Sequence, residues 1–221
     1  MMSSVIIKKP DWLYVAKPEG GISYGYNQEW YRDEWQRLAG CGPTTATQVM
    51  TYIGYRDGLL DTADSADFNS AVRRMETIWP YVKPHKGGGL YKTRWFEAGL
   101  ERFLADKSLD YDVHMLRIYP FSFNRPKIAR AAEFIRTGIS SDCPVGFLNR
   151  HRGKEQELST WHWVPIVGIR EDGGDVRCLV FDEEIERWFS LTQWLRDTTL
   201  GGGFVYVTKK TKGHTSTDGA Y

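Results

Sequence analysis

The segment Gly40-Cys41-Gly42-Pro43-Thr44-Thr45-Ala46 places a cysteine at the first turn of a predicted helix. Pro43 suits that turn, and Ala46, Val49, Met50 and Ile53 recur at three- and four-residue steps until Gly54, which reads as the stop. A thiolate there faces unpaired backbone NH groups and the positive end of the helix dipole, both of which favour the charged, nucleophilic form. The small neighbours Gly40 and Gly42 let a substrate backbone come close, and the Cys41 NH can point at a developing oxyanion. A cysteine before a helix is more often a small packing residue. The flanking glycines and Pro43 argue against that reading here.

A nucleophilic thiol needs a base, and five histidines compete for the role. His162 lies in the apolar run Trp161 to Ile169, where a polar ring demands either a partner or a function. A satisfied core histidine is the competing account. His85 and His151 lie in Lys/Arg/Gly-rich loops, His214 in the tail, and His114 in an alternating stretch with no other signal. The following strand ends in Leu179-Val180-Phe181-Asp182. An antiparallel turn at Gly173-Gly174 returns Asp182 towards His162, where a carboxylate would hold the imidazole in one tautomer. Asp182, Glu183, Glu184 and Glu186 read equally well as a solvated acidic turn. Asp182 is favoured because it directly follows the buried run.

The remaining thiols, Cys143 before Pro144 and Cys178 in an alternating run, read as packing residues. An odd cysteine count without regular spacing argues against a disulfide framework and against a zinc site, so neither metal nor cofactor is expected.

The elements that must position these groups can be outlined from periodicity and turn residues. Further helices are predicted over Phe68 to Trp79, ended by Pro80, over Tyr91 to Leu104, entered from Gly87-Gly88-Gly89, and over Ile128 to Ile135, stopped near Gly138. Strands are predicted at Val145 to Leu148, Trp161 to Ile169, Arg177 to Phe181, near Trp188, and at Phe204 to Val207. The stretch through Gly40 reads as loop, with one short strand at Trp12 to Ala16. Helices first and strands afterwards define an α+β fold. At 221 residues and 41% hydrophobic, the chain can bury one substantial core over residues 1–208, leaving a polar, mobile tail over 209–221.

A formal charge of +1, with acids and bases interspersed along the chain, argues against nucleic acid or an anionic membrane as partner. The N-terminus lacks the apolar core of a secretory signal, and no run approaches the roughly 18 apolar residues of a membrane span, so a cytoplasmic protein is expected.

Taken in order, Asn27-Gln28, Gly40 to Ala46, His162-Trp163-Val164 with Val167-Gly168-Ile169, and Asp182 resemble the papain-like cysteine peptidases. The nearest branch is that of the bacteriocin-leader, or double-glycine, peptidases and their stand-alone bacterial relatives. The resemblance implies a papain-like domain over residues 1–208, with a helical lobe packed on a mainly antiparallel sheet and the site between them. It implies a Cys41–His162–Asp182 triad, a peptide or protein substrate, and an upstream glutamine that donates to the oxyanion. Gln28 and Gln36 both match that glutamine, and Gln28 is preferred because in this branch it often precedes a variable insertion. Unlike transporter-linked members, this sequence has no nucleotide-binding motif or membrane region, so a role in peptide export does not carry over. The aromatics Trp30, Tyr31 and Trp35 would either wall a peptide cleft or belong to the core. Hydrolysis is the leading expectation. Acyl transfer by the same thiolate and a catalytically silent peptide-binding module are the alternatives.

Overall fold

The computed structural model describes residues 4–121, 123 and 125–211. It has an α+β architecture built on a seven-stranded sheet, in the order β4-β9-β5-β6-β7-β8, with β1 alongside β6. The strands are β1 (Ser4–Ile6), β4 (Tyr111–Ile118), β5 (Val145–Asn149), β6 (His162–Asp172), β7 (Asp175–Asp182), β8 (Ile185–Ser190) and β9 (Gly202–Lys209). All the pairings within it are antiparallel. A separate hairpin joins β2 (Tyr14–Ala16) to β3 (Ile22–Tyr24). The helices are α1 (Glu34–Ala39), α2 (Cys41–Arg56), α3 (Phe68–Ile78), α4 (Thr93–Asp106), α5 (Ile128–Ser140) and α6 (Leu191–Asp197). Among the described residues, no helix is long and apolar enough to cross a membrane.

Helices cover both faces of the sheet. On β5, a Cβ on Gly146 would meet Phe96 of α4 at 3.0 Å and Thr45 of α2 at 3.5 Å. The neighbouring residues point the opposite way: Val145 lies against Gly138 of α5, and Phe147 packs on Trp194 of α6 with ring centroids 4.7 Å apart. Alternation along one strand therefore puts α2 and α4 on one side and α5 and α6 on the other. The helices do not form the single lobe expected from the sequence, because β5 is apolar on both faces and both must be covered.

Helix α2 is the most enclosed of the helices, with every residue from Gly42 to Tyr55 buried. The expected apolar stripe at Ala46, Val49, Met50 and Ile53 packs in the main core. Its polar residues are buried too, and some are satisfied locally: Thr47 donates to the Pro43 carbonyl at 2.8 Å, and Gln48 accepts from the Tyr26 NH at 3.1 Å. Tyr26, Tyr31, Val15 and residues of α3 form a second core cluster.

Several boundaries differ from the periodicity reading. Gly54 does not stop α2, which runs to Arg56; Gly54 lies instead under Leu60, whose Cδ1 would be 2.7 Å from an added Cβ. Gly138 likewise lies inside α5, where its missing side chain admits Val145 and Tyr206. Each glycine is thus a close-packing position and not the helix stop expected from the sequence. The segment before Gly40 is more ordered than a loop: it holds β1, the β2–β3 hairpin and α1, and Trp12 falls in a 3-10 turn rather than a strand. Elements of three to six residues are too short for a hydrophobic period to register. β4 precedes α5, and α6 interrupts the strand-rich half, so helices and strands are more interleaved than expected. At the C-terminus, Lys209 pairs with Tyr111 and the Lys210 NH bonds the Asp110 carbonyl, which carries the sheet past residue 208. The expected mobile tail otherwise falls on residues 212–221, outside those described.

Phe147 is fully buried between Phe189, Trp194 and Phe204, with centroid separations of 4.7–5.2 Å. Phe147→Ala is expected to lower unfolding free energy by about 3–5 kcal/mol, read as a fall in denaturant midpoint at unchanged slope.

Candidate active site

Cys41 is the first residue of α2 and follows α1 with only Gly40 between them. Gly40 is in helical conformation, and an added Cβ would lie 2.9 Å from the Tyr31 ring. Gly42 faces Leu90, whose Cδ2 would be 2.5 Å from such a Cβ. The glycines flanking Cys41 therefore serve close packing, where the sequence suggested room for a substrate. Leu90 is held by Trp163, whose indole donates to the Leu90 carbonyl at 2.6 Å and whose ring stacks on Phe96.

His162 opens β6 and Asp182 closes β7, and the histidine Nε2 lies 2.7 Å from Asp182 Oδ1. The hairpin turns at Gly173-Gly174, both at positive φ, as a two-residue turn that matches strand twist. From Asp172–Asp175 to Gly168–Leu179, β6 and β7 keep one register. Continued, it would set Asp182 opposite Pro165, on the face away from His162. One extra residue in β6, Val167, shifts the pairing so that Ile166 meets Val180. Continued two residues further, this shifted register would set Asp182 opposite Val164, in the alternation that His162 shares. The bulge is pinned from the other edge, where the Val167 carbonyl accepts from the Ile7 NH at 3.0 Å.

Asp182 is only 3% exposed, so the bond is shielded from water. With Nε2 committed to the carboxylate, Nδ1 is the ring atom left for the Cys41 thiol. Burial opposes ionisation of that thiol. The hydrogen bond and charge of His162, with the backbone NH groups of Trp163 and Gly42, outweigh burial and hold Cys41 below its ordinary value. Burial likewise opposes the imidazolium, yet Asp182 and the facing thiolate raise His162 to about 10. Each member of the pair favours the charged form of the other. Cys143 and Cys178 have no such partner, are fully buried, and are pushed up by desolvation, Cys143 to about 12.

Gln28 lines a small cavity together with Cys41, His162 and Asp182. Its Nε2 donates to the Arg37 carbonyl at 2.7 Å, which orients the amide and leaves a second N–H uncommitted, while Oε1 is buried without a partner. Gln36 bonds Glu76 at 2.9 Å and does not line that cavity.

The Gln28 segment is tied to the β7–β8 turn by Glu184. Its carboxylate accepts from Lys17 at 3.0 Å and from Asn27 and the Trp30 indole at 3.2 Å each, and its carbonyl accepts from the Tyr24 NH. Burial opposes its charge, but these donors keep the carboxyl below its ordinary value. Glu183 and Glu184 both have positive φ, a conformation costing on the order of 1–3 kcal/mol per non-glycine residue that the four bonds help to offset. By sequence alone Glu184 falls in a solvated acidic turn. Its position two residues after a buried strand, in a turn with no glycine, is the signal that could have marked it.

On its other side Cys41 faces a cleft of about 300 Å³ walled by Trp35, Leu38, Leu90, Trp161 and Trp163. Of the three aromatics considered as cleft walls, only Trp35 lines it; Tyr31 is core and Trp30 packs on Phe68. Trp161 is half exposed at φ 60°, an uncommon backbone for a bulky residue, immediately before His162.

Among the other histidines, His114 pairs with Thr208 at 2.7 Å, His151 accepts from Gly153 and Thr199 NH groups, and His85 packs at a tilt against Trp95. His214 lies outside the described residues. His162, Asp182 and Glu183 bring a ring nitrogen and two carboxylate oxygens within 4.8 Å of one another, a donor set able to hold a divalent cation. Such an ion would compete with the His162–Asp182 hydrogen bond. No protein-family model matches the chain, and no curated protein is similar to it in sequence.

The reactivity of Cys41 towards iodoacetamide should follow its thiolate fraction, present above the lowered thiol value and lost as pH falls through it. His162→Ala removes the largest stabilising partner and is expected to move that midpoint upward, measured as alkylation rate against pH. An unchanged midpoint would show that His162 does not act on the thiol.

Proposed function

We propose that this protein is a papain-like cysteine hydrolase that cleaves a peptide or related amide through Cys41, His162 and Asp182. The observation that carries the reading is a thiol at the start of a buried helix, beside an imidazole whose far nitrogen is held by a buried carboxylate. His162 takes the Cys41 proton, and the thiolate adds to the carbonyl carbon. The Cys41 NH and the second N–H of Gln28 are the donors assigned to the resulting oxyanion. The imidazolium then protonates the departing amine as the C–N bond breaks, leaving a thioester. Water, deprotonated by His162, adds to the thioester and releases the acid and the free thiol. Asp182 keeps the ring in the tautomer and orientation that both half-reactions need.

A thiol-directed probe should label Cys41 stoichiometrically near neutral pH and fail to do so in Cys41→Ala and His162→Ala. A peptide-library digest should show cleavage by the wild type that is absent with Cys41→Ala. An inert Cys41 in the folded wild type would overturn the reading. Gln28→Ala is expected to keep the labelling but lower kcat on the order of a hundredfold with little change in KM, the pattern of an interaction made only in the transition state.

The pH profile of kcat/KM follows from the two shifts. Activity requires thiolate and imidazolium together, so it rises as pH passes the lowered Cys41 value and falls as His162 loses its proton at about 10. Asp182→Asn should bring the alkaline limb to lower pH, because it removes the hydrogen bond that most stabilises the imidazolium.

A further inference from the structure

Beside the aromatic cleft lies a second cavity of about 360 Å³, formed over the start of α4 and the ends of β4, β5 and β9. Lys92, Arg94, Arg117 and Arg150 line it, and no acidic side chain does. Among the described residues, none of these four cations forms an ion pair or donates a side-chain hydrogen bond to the protein. In a chain with 29 basic and 28 acidic residues, four unneutralised cations around one cavity are a local segregation. Arg150 shows the cost. Burial and then the facing Arg117 pull it below its ordinary value, and its Nε is buried without a partner.

Three of the four cations lie over aromatic faces. Arg150 lies over Trp161 at 5.2 Å, Arg117 over Tyr119 at 4.6 Å, and Lys92 over Trp95 at 4.5 Å. A guanidinium stacked by its face keeps its edge N–H groups free for an oxyanion. The first turn of α4 opens on the same space and adds the positive end of its dipole. Tyr91 and Leu148 line both this cavity and the cleft at Cys41, and Trp161 walls the cleft while carrying Arg150. A molecule lying in the cleft thus reaches the cations without leaving the surface.

We infer that this cavity binds the carboxylates of an acidic peptide, seating a negatively charged stretch of the substrate while its scissile bond lies at Cys41. The inference rests on the proposed cleavage reaction for the direction of the chain, but not for the binding itself. Cations spread over separate elements around a wide cavity match several carboxylates along an extended chain. A single compact phosphate would draw on fewer of them.

The test uses full-length Cys41→Ala protein, in which binding is measured without turnover, and end-blocked tri-glutamate, end-blocked tri-glutamine and inorganic pyrophosphate as probes in calorimetric titration. Saturable binding of tri-glutamate is expected, weakened by added salt, with none for tri-glutamine. Arg94→Gln/Arg117→Gln, both at exposed positions, should weaken it roughly tenfold. Equal binding of the two peptides, no binding of either, or tri-glutamate binding unchanged in the double variant would overturn the inference. So would pyrophosphate binding more tightly than tri-glutamate, which would assign the cavity to a phosphate ligand. Absent tri-glutamate binding, with Cys41 labelling of the wild type intact, defeats this inference alone; an inert Cys41 in the wild type, with binding intact, defeats the cleavage reading alone.

Discussion

The hydrogen bond between His162 and Asp182 depends on one extra residue in a strand. Side chains alternate strictly along β6 and β7, so the register set at the Gly173-Gly174 turn would leave the two on opposite faces of the sheet. Val167 breaks that alternation once, and the break is held in place because Ile7 bonds its carbonyl from the neighbouring edge. Ile7, the residue that follows β1, thereby helps to hold the register in which Asp182 meets His162. Burial of Asp182 then makes the pairing matter, since a carboxylate removed from water is stable only with a donor in place.

Around this pair the fold joins three chain segments distant in sequence. Helix α2 brings the thiol, the β6–β7 hairpin brings the imidazole and carboxylate, and the segment before α1 brings Gln28. In the third, Gln28 sits in a turn of three residues between the buried Tyr26 and Tyr31. Glu184 adds a polar tie. By gathering Lys17, Asn27, Trp30 and Tyr24, it links the Gln28 turn to the same hairpin end that carries Asp182. The left-handed backbone at Glu183 and Glu184 is tolerated because the surrounding bonds hold it. Left-handed backbone thus occurs at this turn and again at Trp161, immediately before His162.

Polar and charged groups are distributed differently in space than along the chain. Acids and bases alternate through the sequence and nearly cancel, yet one cavity gathers four cations and the turn after β7 gathers acidic side chains beside the site. Those cations come from the approach to α4, its first turn, β4 and the residue after β5, elements that meet only when the sheet is assembled.

The residue types and local settings of Cys41, His162 and Asp182 were legible in the sequence, because each carries a local signature: a helix start, a polar ring in an apolar run, an acid closing a buried strand. The same holds for α2 and the strands around the site, whose apolar periods are long enough to read. Tertiary structure decided what depends on contacts between distant segments. It chose Gln28 over Gln36 as the glutamine beside Cys41, since Gln36 is spent on Glu76. It turned Gly42, Gly54 and Gly138 from openings or stops into packing contacts, and it recruited Glu184 from a nominally solvated turn. Above all it placed the Val167 bulge, which no alternation pattern reveals, because a strand buried on both faces looks the same in either register.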